Sequence, residues 1–421
     1  MHKGNPNLEK HPLGYRRTWP TEQVVVEITK MSERGWSGDL TAEVSITTTA
    51  PAIFPLLFFG RINLLSVSAK SQLIKELRPK YETPEWPNLI EATFFEIVEA
   101  YREGAPLEEV GNAPVREGQA YRLKPFLPEG VITNIFGKGG AGKSYLALVI
   151  ALSVLSGKRL LGMEPEQGHV LYLDYEADRP VINERVKALK AGLELPPDLQ
   201  LSYRRCDMPL TREIDRIIEI VSTHNTKLVV IDSVGMSVQG TANDDNVMTD
   251  YLRAVRSLDC TALLLDHPAK NTEGITTAYG STYKGNEARS YWQLDGEFHQ
   301  DTCALSVGCT HVKVNDGAKF SPQGFLFAFE NNADNRPVKV DISRQDASIH
   351  FFDKLSKNER ILTILKESGQ LSSKEIASEL GLKPGDVSTL LSRLKRANEV
   401  MFTQDSKWAA ASRRTDDSIS F

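Results

Sequence analysis

The sequence is poor in features that mark secreted and membrane proteins. Its 421 residues include only four cysteines, too few for a disulfide framework in a chain of this length, so we expect reduced thiols. No apolar run approaches the roughly 20 residues that a membrane helix needs, and the apolar stretch at 51–60 is interrupted by proline. The amino-terminal residues also lack the apolar core of a secretory signal. These absences predict a cytoplasmic protein without a membrane partner.

An excess of basic charge is missing as well. The formal net charge is −5 and the pI is about 6.0, which excludes a chain coated in basic surface but permits a local nucleic-acid patch. Hydrophobic residues make up 41% and charged residues 25%, as in ordinary soluble proteins. Neither internal repeats nor low-complexity tracts occur. The length predicts two or three domains.

A zinc site is the tempting interpretation of His299, Cys303, Cys309 and His311. The residues from Cys303 to Val314 alternate between apolar and polar types as a β-strand does. At about 3.3 Å per residue, Cys303 and Cys309 would lie roughly 20 Å apart. One ion cannot bridge that distance, so the sequence predicts no metal site here.

The first zone, residues 1–115, is predicted to be an α+β domain. Strand-like runs are followed by helical patterns at 68–80 and 87–104. A stretch rich in Gly, Pro and Glu at 103–119 indicates a linker. The role of this domain stays open between an oligomerisation collar and a partner-docking module.

The second zone, residues 116–350, alternates short apolar strands with longer helical patterns. This alternation predicts a mainly parallel sheet covered by helices. Strand signals follow one another after about residue 292, which predicts an antiparallel extension at the edge of the sheet.

The third zone, residues 354–412, contains three short helical patterns and a hairpin. Ser356 with Glu359, and Ser372 with Glu375, have the spacing of helix capping boxes. This zone is predicted to be a separate small domain.

A glycine-rich loop, GKGGAGKS, lies between an apolar strand and a helix and fits the P-loop pattern at every fixed position. Its glycines permit positive φ and bring backbone N–H groups around phosphate oxygens. Lys143 is expected to reach the β- and γ-phosphates, and Ser144 to bind Mg²⁺. The predicted ligands are therefore ATP and Mg²⁺. The predicted nucleotide-binding residues are Gly137, Lys138, Gly139, Gly140, Ala141, Gly142, Lys143, Ser144 and Tyr145.

Polar residues end three later apolar strands, and the carboxyl ends of parallel strands meet at one sheet edge. Asp232 has the placement of a carboxylate that orients Mg²⁺. Asp174 and Glu176 close another strand two residues apart, so both are expected to face the same side. Glu176 is the favoured activator of water because its side chain is longer, with Asp174 as the alternative. His267 is predicted to sense the γ-phosphate.

This order of P-loop, strand-end Glu, strand-end Asp and strand-end His resembles the RecA-like ATPases. It is most similar to their hexameric helicase branch of the DnaB and RepA type, as carried by phages and plasmids. The resemblance implies that Glu176 is the catalytic base, Asp232 the Walker B acid and His267 the sensor. It also implies a homo-hexamer that holds single-stranded DNA in a central channel. The loops at 235–246 and 268–289, with Lys270 and Lys284, would contact that DNA.

The same branch carries a K-x-R-x-G signature near its last strands, which supplies a positive residue to the neighbouring subunit. This chain has Lys313 in the signature but Asn315 at the arginine position. Either Lys313 or Arg289 is therefore expected to act as the finger in trans. The departure makes hydrolysis a safer expectation than processive unwinding.

The third zone resembles a winged helix-turn-helix. Residues 354–414 contain 12 basic and 7 acidic side chains, so the net charge of this zone is positive whereas that of the whole chain is negative. A positive zone favours contact with the phosphates of duplex DNA. The expected DNA-binding residues are Ser388, Ser392, Arg393, Lys395, Arg396 and, in the hairpin, Lys407.

The predicted fold class is therefore α/β: a RecA-like P-loop ATPase core with a mainly parallel sheet, an N-terminal α+β domain and a C-terminal winged helix-turn-helix. The predicted function is an ATP-hydrolysing motor acting on DNA, a replicative helicase or translocase of a phage or mobile element. The alternative is a non-motor ATPase switch, a regulator or recombination mediator that controls DNA binding by the winged helix.

Overall fold

The computed structural model describes residues 7–34, 39–51, 54–104, 107, 111, 120–241, 244–268, 288–315, 317–345, 357–403 and 405–411. The chain divides into two compact units: residues 1–118 with 212–225, and residues 119–211 with 226–421. None of the described helices is long and apolar enough to cross a membrane. The three domain limits drawn from the sequence stay a prediction.

The first unit contains an antiparallel five-stranded sheet whose strands pair in chain order. Its elements are β1 (Leu8–His11), β2 (Gly14–Trp19), β3 (Val24–Arg34), β4 (Asp39–Thr48), β5 (Leu56–Asn63), α1 (Val67–Leu77) and α2 (Trp86–Glu103). Alternate residues of β4 are buried, as expected of a strand with one face on a core. The apolar stripe of α2 lies in that same core. Both helical patterns predicted from the sequence are therefore confirmed.

The second unit is organised around a nine-stranded sheet. Its strand order is β11-β10-β12-β13-β8-β14-β15-β16-β17. The bounds are β8 (Ile132–Gly137), β10 (His169–Asp174), β11 (Ser202–Arg205), β12 (Thr226–Asp232), β13 (Thr261–Asp266), β14 (Ser290–His299), β15 (Ala304–Val314), β16 (Gln323–Asn331) and β17 (Pro337–Gln345). A small sheet joins β6 (Tyr121–Lys124), β7 (Leu127–Pro128) and β9 (Glu164–Pro165).

The six strands from β11 to β14 are parallel, which confirms the mainly parallel sheet. The predicted antiparallel extension holds for β15, β16 and β17. For β14 the prediction is wrong, because this strand pairs parallel to β8, with Leu294 opposite Gly137. The carboxyl end of β14 is thereby brought beside the glycine-rich loop.

The helices of this unit that come before the C-terminal segment are α3 (Lys143–Ser156), α4 (Arg179–Gly192), α6 (Val234–Ser237) and α7 (Asp245–Arg256). Helix α5 (Leu210–Thr223) belongs, from Arg212 onward, to the first unit. Helix α3 is buried along nearly its whole length. It packs on β8, β10, β12 and β13 and also touches β6 and α4, which explains its uniformly apolar sequence.

The C-terminal segment folds as α8 (Lys357–Ser368), α9 (Ser373–Leu380), α10 (Pro384–Arg396), β18 (Val400–Phe402) and β19 (Trp408–Ala410). Ser372 and Glu375 form a reciprocal capping box, as predicted. Ser356 lies outside the described residues. The two short strands form the predicted antiparallel hairpin, and Val387, Leu391 and Leu394 of α10 lie in the core of this segment.

Candidate active site

The loop between β8 and α3 has the geometry of an anion cradle. Gly137 ends β8 and Lys143 begins α3, whose amino terminus has no side-chain cap. Gly140 and Gly142 have φ values of 78° and 88°, a region that disfavours a side chain. A Cβ at Gly142 would lie only 2.8 Å from a methyl group of Val307. The first-turn N–H groups of α3 are therefore left for a ligand at the positive end of the helix.

Lys143 is a buried cation at the base of this loop. Its Nζ donates to the carbonyl oxygens of Gly137, at 2.8 Å, and Lys138, at 3.0 Å. Burial lowers the pKa of the Lys143 ammonium, and nearby carboxylates, led by that of Asp232, raise it in part. A phosphate would supply the negative charge that compensates this buried cation.

Asp232 lies at the end of β12, next to the hydroxyl group of Ser144. Its Oδ2 accepts a hydrogen bond from the Tyr172 hydroxyl at 2.7 Å. Burial raises the pKa of Asp232, and hydrogen bonds from Tyr172 and Ser144 offset part of that rise. A carboxylate and a hydroxyl side by side are the hard oxygen ligands that Mg²⁺ takes together with phosphates and water. These residues therefore fit a magnesium site.

The structure separates the two carboxylates that close β10. The strand ends at Asp174, which is fully buried. Its Oδ1 accepts from the backbone N–H groups of Glu176, at 3.0 Å, and Ala177, at 2.8 Å. Its Oδ2 accepts from the Tyr203 hydroxyl at 2.8 Å. The expectation that both carboxylates face the same side is wrong, because the chain turns after Asp174 and is held by that side chain.

Glu176 instead lines the cleft in front of the loop. Its Oε1 accepts a hydrogen bond from the Ser233 hydroxyl. His267 Nε2 lies 3.4 Å from the same oxygen. The Glu176 side chain is 40% exposed, so water can reach its carboxylate. The hydrogen bond from Ser233 holds one oxygen of that carboxylate in place.

The cleft has a volume of about 390 Å³. Of the residues that form one wall of the cleft, the sequence predicted only Tyr145. Arg185 of α4, Phe298 of β14 and Phe329 of β16 also line this wall. The Arg185 guanidinium lies 5.2 Å from the centre of the Tyr145 ring, and Phe329 meets that ring edge-on at 5.2 Å. These residues come from distant parts of the chain, and no local pattern marks them.

The residues weighed as a zinc site are arranged as the strand pattern predicts. Cys309 and His311 lie on β15, which the structure confirms as a strand. His299 Nε2 contacts the Ser306 hydroxyl at 2.9 Å, and His311 Nε2 contacts the Ser290 hydroxyl at 3.1 Å. Within the described part of the chain, no group of three or more His, Cys, Asp and Glu residues is placed to hold a metal.

Comparison with known families assigns two segments. Residues 107–273 match the model of an AAA domain, and residues 356–398 match that of a winged helix-turn-helix DNA-binding domain. The chain contains a P-loop ATPase domain and a winged helix. The first match includes the loop, Glu176, Asp232 and His267.

Comparison with curated proteins gave no match. Among solved structures, the flagellar accessory protein FlaH from Methanocaldococcus jannaschii is similar over 52% of this chain and 91% of that chain. The sequence identity is 14% and the TM-score is 0.35.

Both candidates for the trans finger lie far from the P-loop of their own chain. Arg289 immediately precedes Ser290, which pairs with Thr133 near the start of β8. Lys313 pairs with Tyr291 on the neighbouring strand. Gly137 lies four residues further along β8 than Thr133, roughly 13 Å of strand. Within one chain, these cations are therefore at the opposite sheet edge from the phosphate loop.

The winged helix presents most of its predicted DNA-binding side chains to solvent. Those on the surface of α10 are Ser388, Ser392, Arg393, Lys395 and Arg396, whereas Lys407 is half-buried. The Ser392 hydroxyl donates to the Ser388 carbonyl at 2.8 Å. Lys270 and Lys284 lie outside the described residues.

Proposed function

We propose that this chain is a DNA-dependent ATPase motor that couples ATP hydrolysis to movement along DNA. The observation that carries the proposal is the meeting of Lys143, Asp232 and Glu176 in one cleft with the glycine-rich loop. This set includes a phosphate-binding cation, a magnesium-binding oxygen and a carboxylate open to water. The motor function, the subunit number and the role of each residue belong to this proposal.

In the proposed reaction, the P-loop N–H groups and Lys143 would hold the triphosphate, and Ser144 with Asp232 would hold Mg²⁺. The ion would neutralise charge on the phosphates. Glu176 accepts a hydrogen bond from the attacking water and orients it toward the γ-phosphate. His267 shares the Glu176 oxygen, so a movement of His267 would change the position of the base.

The neighbouring subunit is proposed to complete the site. Lys313 and Arg289 lie at the sheet edge away from their own P-loop, so either residue would reach a nucleotide only in another subunit. A trans cation accelerates phosphoryl transfer by roughly 10³–10⁵ in the best-studied cases. This argument supports a ring, with a homo-hexamer as the proposed assembly.

One observation favours a second function. Asn315 replaces the arginine that helicases of this branch carry, and Asn supplies no positive charge. A slower ATPase that switches the DNA affinity of its winged helix fits this substitution. The second candidate is therefore a non-motor switch.

The test uses the full chain with Mg²⁺ and ATP. A motor predicts ATPase stimulated severalfold by single-stranded DNA and strand displacement on a forked duplex. A switch predicts neither result, but a nucleotide-dependent change in affinity for duplex DNA. If the protein shows no ATP turnover with either DNA, both proposals are wrong. Particle images with a non-hydrolysable ATP analogue give the subunit number.

A further inference from the structure

A second cavity, larger than the nucleotide cleft, opens between α4 and β11. We call it the α4–β11 groove. It has a volume of about 950 Å³ and is lined by residues 179–205 of α4, β11 and the segment between them. That volume is in the range of pockets that bind small organic ligands.

The groove combines an apolar floor with basic side chains. Val186, Leu195 and Leu201 contribute to the floor. Four of the described lining residues are basic and none is acidic. These are Arg179, Lys187, Lys190 and Arg205.

Two of those four cations have other partners. Lys190 is 9% exposed, and its Nζ donates to the carbonyl oxygens of Pro197, at 2.6 Å, and Leu199, at 2.9 Å. Arg205 forms ion pairs with Asp178 and Asp207.

Arg179 and Lys187 are exposed on α4 and form no ion pair with another described residue. Two solvent-exposed cations beside an apolar floor would favour a ligand with a negative group and an apolar body. The groove therefore fits a small amphipathic anion.

The groove is connected to Glu176 by hydrogen bonds. Tyr203 lines the groove, and its hydroxyl donates to Asp174 at 2.8 Å. The other oxygen of Asp174 holds the backbone N–H groups of Glu176 and Ala177. A ligand that moves the Tyr203 ring therefore acts on the carboxylate that fixes the turn carrying Glu176.

Helix α4 provides a second connection. It presents Arg179 and Lys187 to the groove and Arg185 to the nucleotide cleft. Because a helix moves largely as a rigid element, a ligand that shifts α4 at the groove also shifts Arg185 at the nucleotide cleft. From these two links we infer that the α4–β11 groove is a regulatory site for a small amphipathic anion, which changes the position of Glu176. The regulatory part rests on the proposed ATPase function.

The first arm of the test measures binding without turnover. The probe is 8-anilinonaphthalene-1-sulfonate, titrated by fluorescence into the full chain saturated with Mg²⁺ and a non-hydrolysable ATP analogue. We expect saturable binding that weakens about tenfold or more in Lys187→Glu. Arg159→Glu is the matched control, because it reverses the charge of a 76% exposed side chain outside the groove. This variant is expected to bind the probe as wild type does. Equal binding by both variants, or no binding at all, overturns the site.

The second arm measures the coupling. We expect the saturating probe to change wild-type kcat about fivefold, the low end of typical allosteric coupling, with little change in ATP affinity. In Tyr203→Phe the probe still binds, but its effect on kcat is smaller because the link to Asp174 is broken and only the link through α4 remains. An unchanged wild-type kcat refutes the regulatory role, and an equal response in Tyr203→Phe refutes the link through Asp174. Absence of ATP turnover in probe-free wild type is a different result, because it refutes the proposed function and leaves the binding arm valid.

Discussion

The two carboxylates at the end of β10 are expected to respond in opposite ways to removal of their charge. In Glu176→Gln the new amide oxygen still accepts from Ser233, and the side chain is 40% exposed. The free energy of unfolding should therefore change by less than about 0.5 kcal/mol. Loss of a general base lowers kcat by about 10²–10⁴, equal to about 3–5 kcal/mol of activation free energy.

In Asp174→Asn we expect the larger effect on the free energy of unfolding and the smaller effect on kcat. The buried carboxylate accepts from two backbone N–H groups and the Tyr203 hydroxyl, and an amide has only one oxygen with which to do so. Hydrogen bonds to a buried charge contribute about 1.5–3 kcal/mol each. We therefore expect a loss of about 1.5–3 kcal/mol in the free energy of unfolding and a smaller fall in kcat than in Glu176→Gln.

The assay compares three measurements on each variant: single-turnover ATP hydrolysis, the Kd of a fluorescent ATP analogue and the free energy of unfolding in urea. Glu176→Gln should bind the analogue as wild type does and hydrolyse ATP about 10²–10⁴ times more slowly. If Asp174→Asn abolishes hydrolysis at wild-type stability while Glu176→Gln hydrolyses ATP at the wild-type rate, the assignment of the base is wrong.

Three further predictions concern other parts of the chain. Lys143→Met should abolish ATP turnover without lowering the free energy of unfolding in urea, since burial already lowers the pKa of this ammonium; near-normal turnover would exclude the P-loop function. Burial, and then the charge of Lys319, lowers the pKa of His311 to about 4. The unfolded chain thus takes up this proton first as the pH falls, and about 3 kcal/mol of stability should be lost between about pH 6.5 and pH 4. Denaturant titrations against pH should show this loss and a flatter profile for His311→Gln. An Arg393→Ala and Arg396→Ala double variant should bind duplex DNA more weakly and reduce the slope of log affinity against log salt by about two; an unchanged slope would place these side chains away from phosphate.

Local sequence patterns were sufficient for much of the fold. The GKGGAGKS loop, the helical stripe of α2 and the Ser372 capping box depend on residues close together in the chain, so their chemistry can be read directly. The strand-end positions of Asp232 and His267 were also predictable, because the carboxyl ends of parallel strands share one edge. Those features determined the P-loop ATPase core and the C-terminal winged helix.

Only the tertiary structure showed that Asp174 is buried and Glu176 is partly exposed, because the difference depends on a turn and on a tyrosine from another strand. It also joined Arg185, Phe298 and Phe329 into the wall of the cleft. The parallel pairing of β14 with β8 placed Arg289 and Lys313 at the edge opposite the phosphate loop. Sheet order arises from contacts between residues distant in sequence, which residue periodicity does not encode. The sequence alone determined the glycine-rich loop and the polar residues at the strand ends, and the packing of the sheet decided which other side chains meet them.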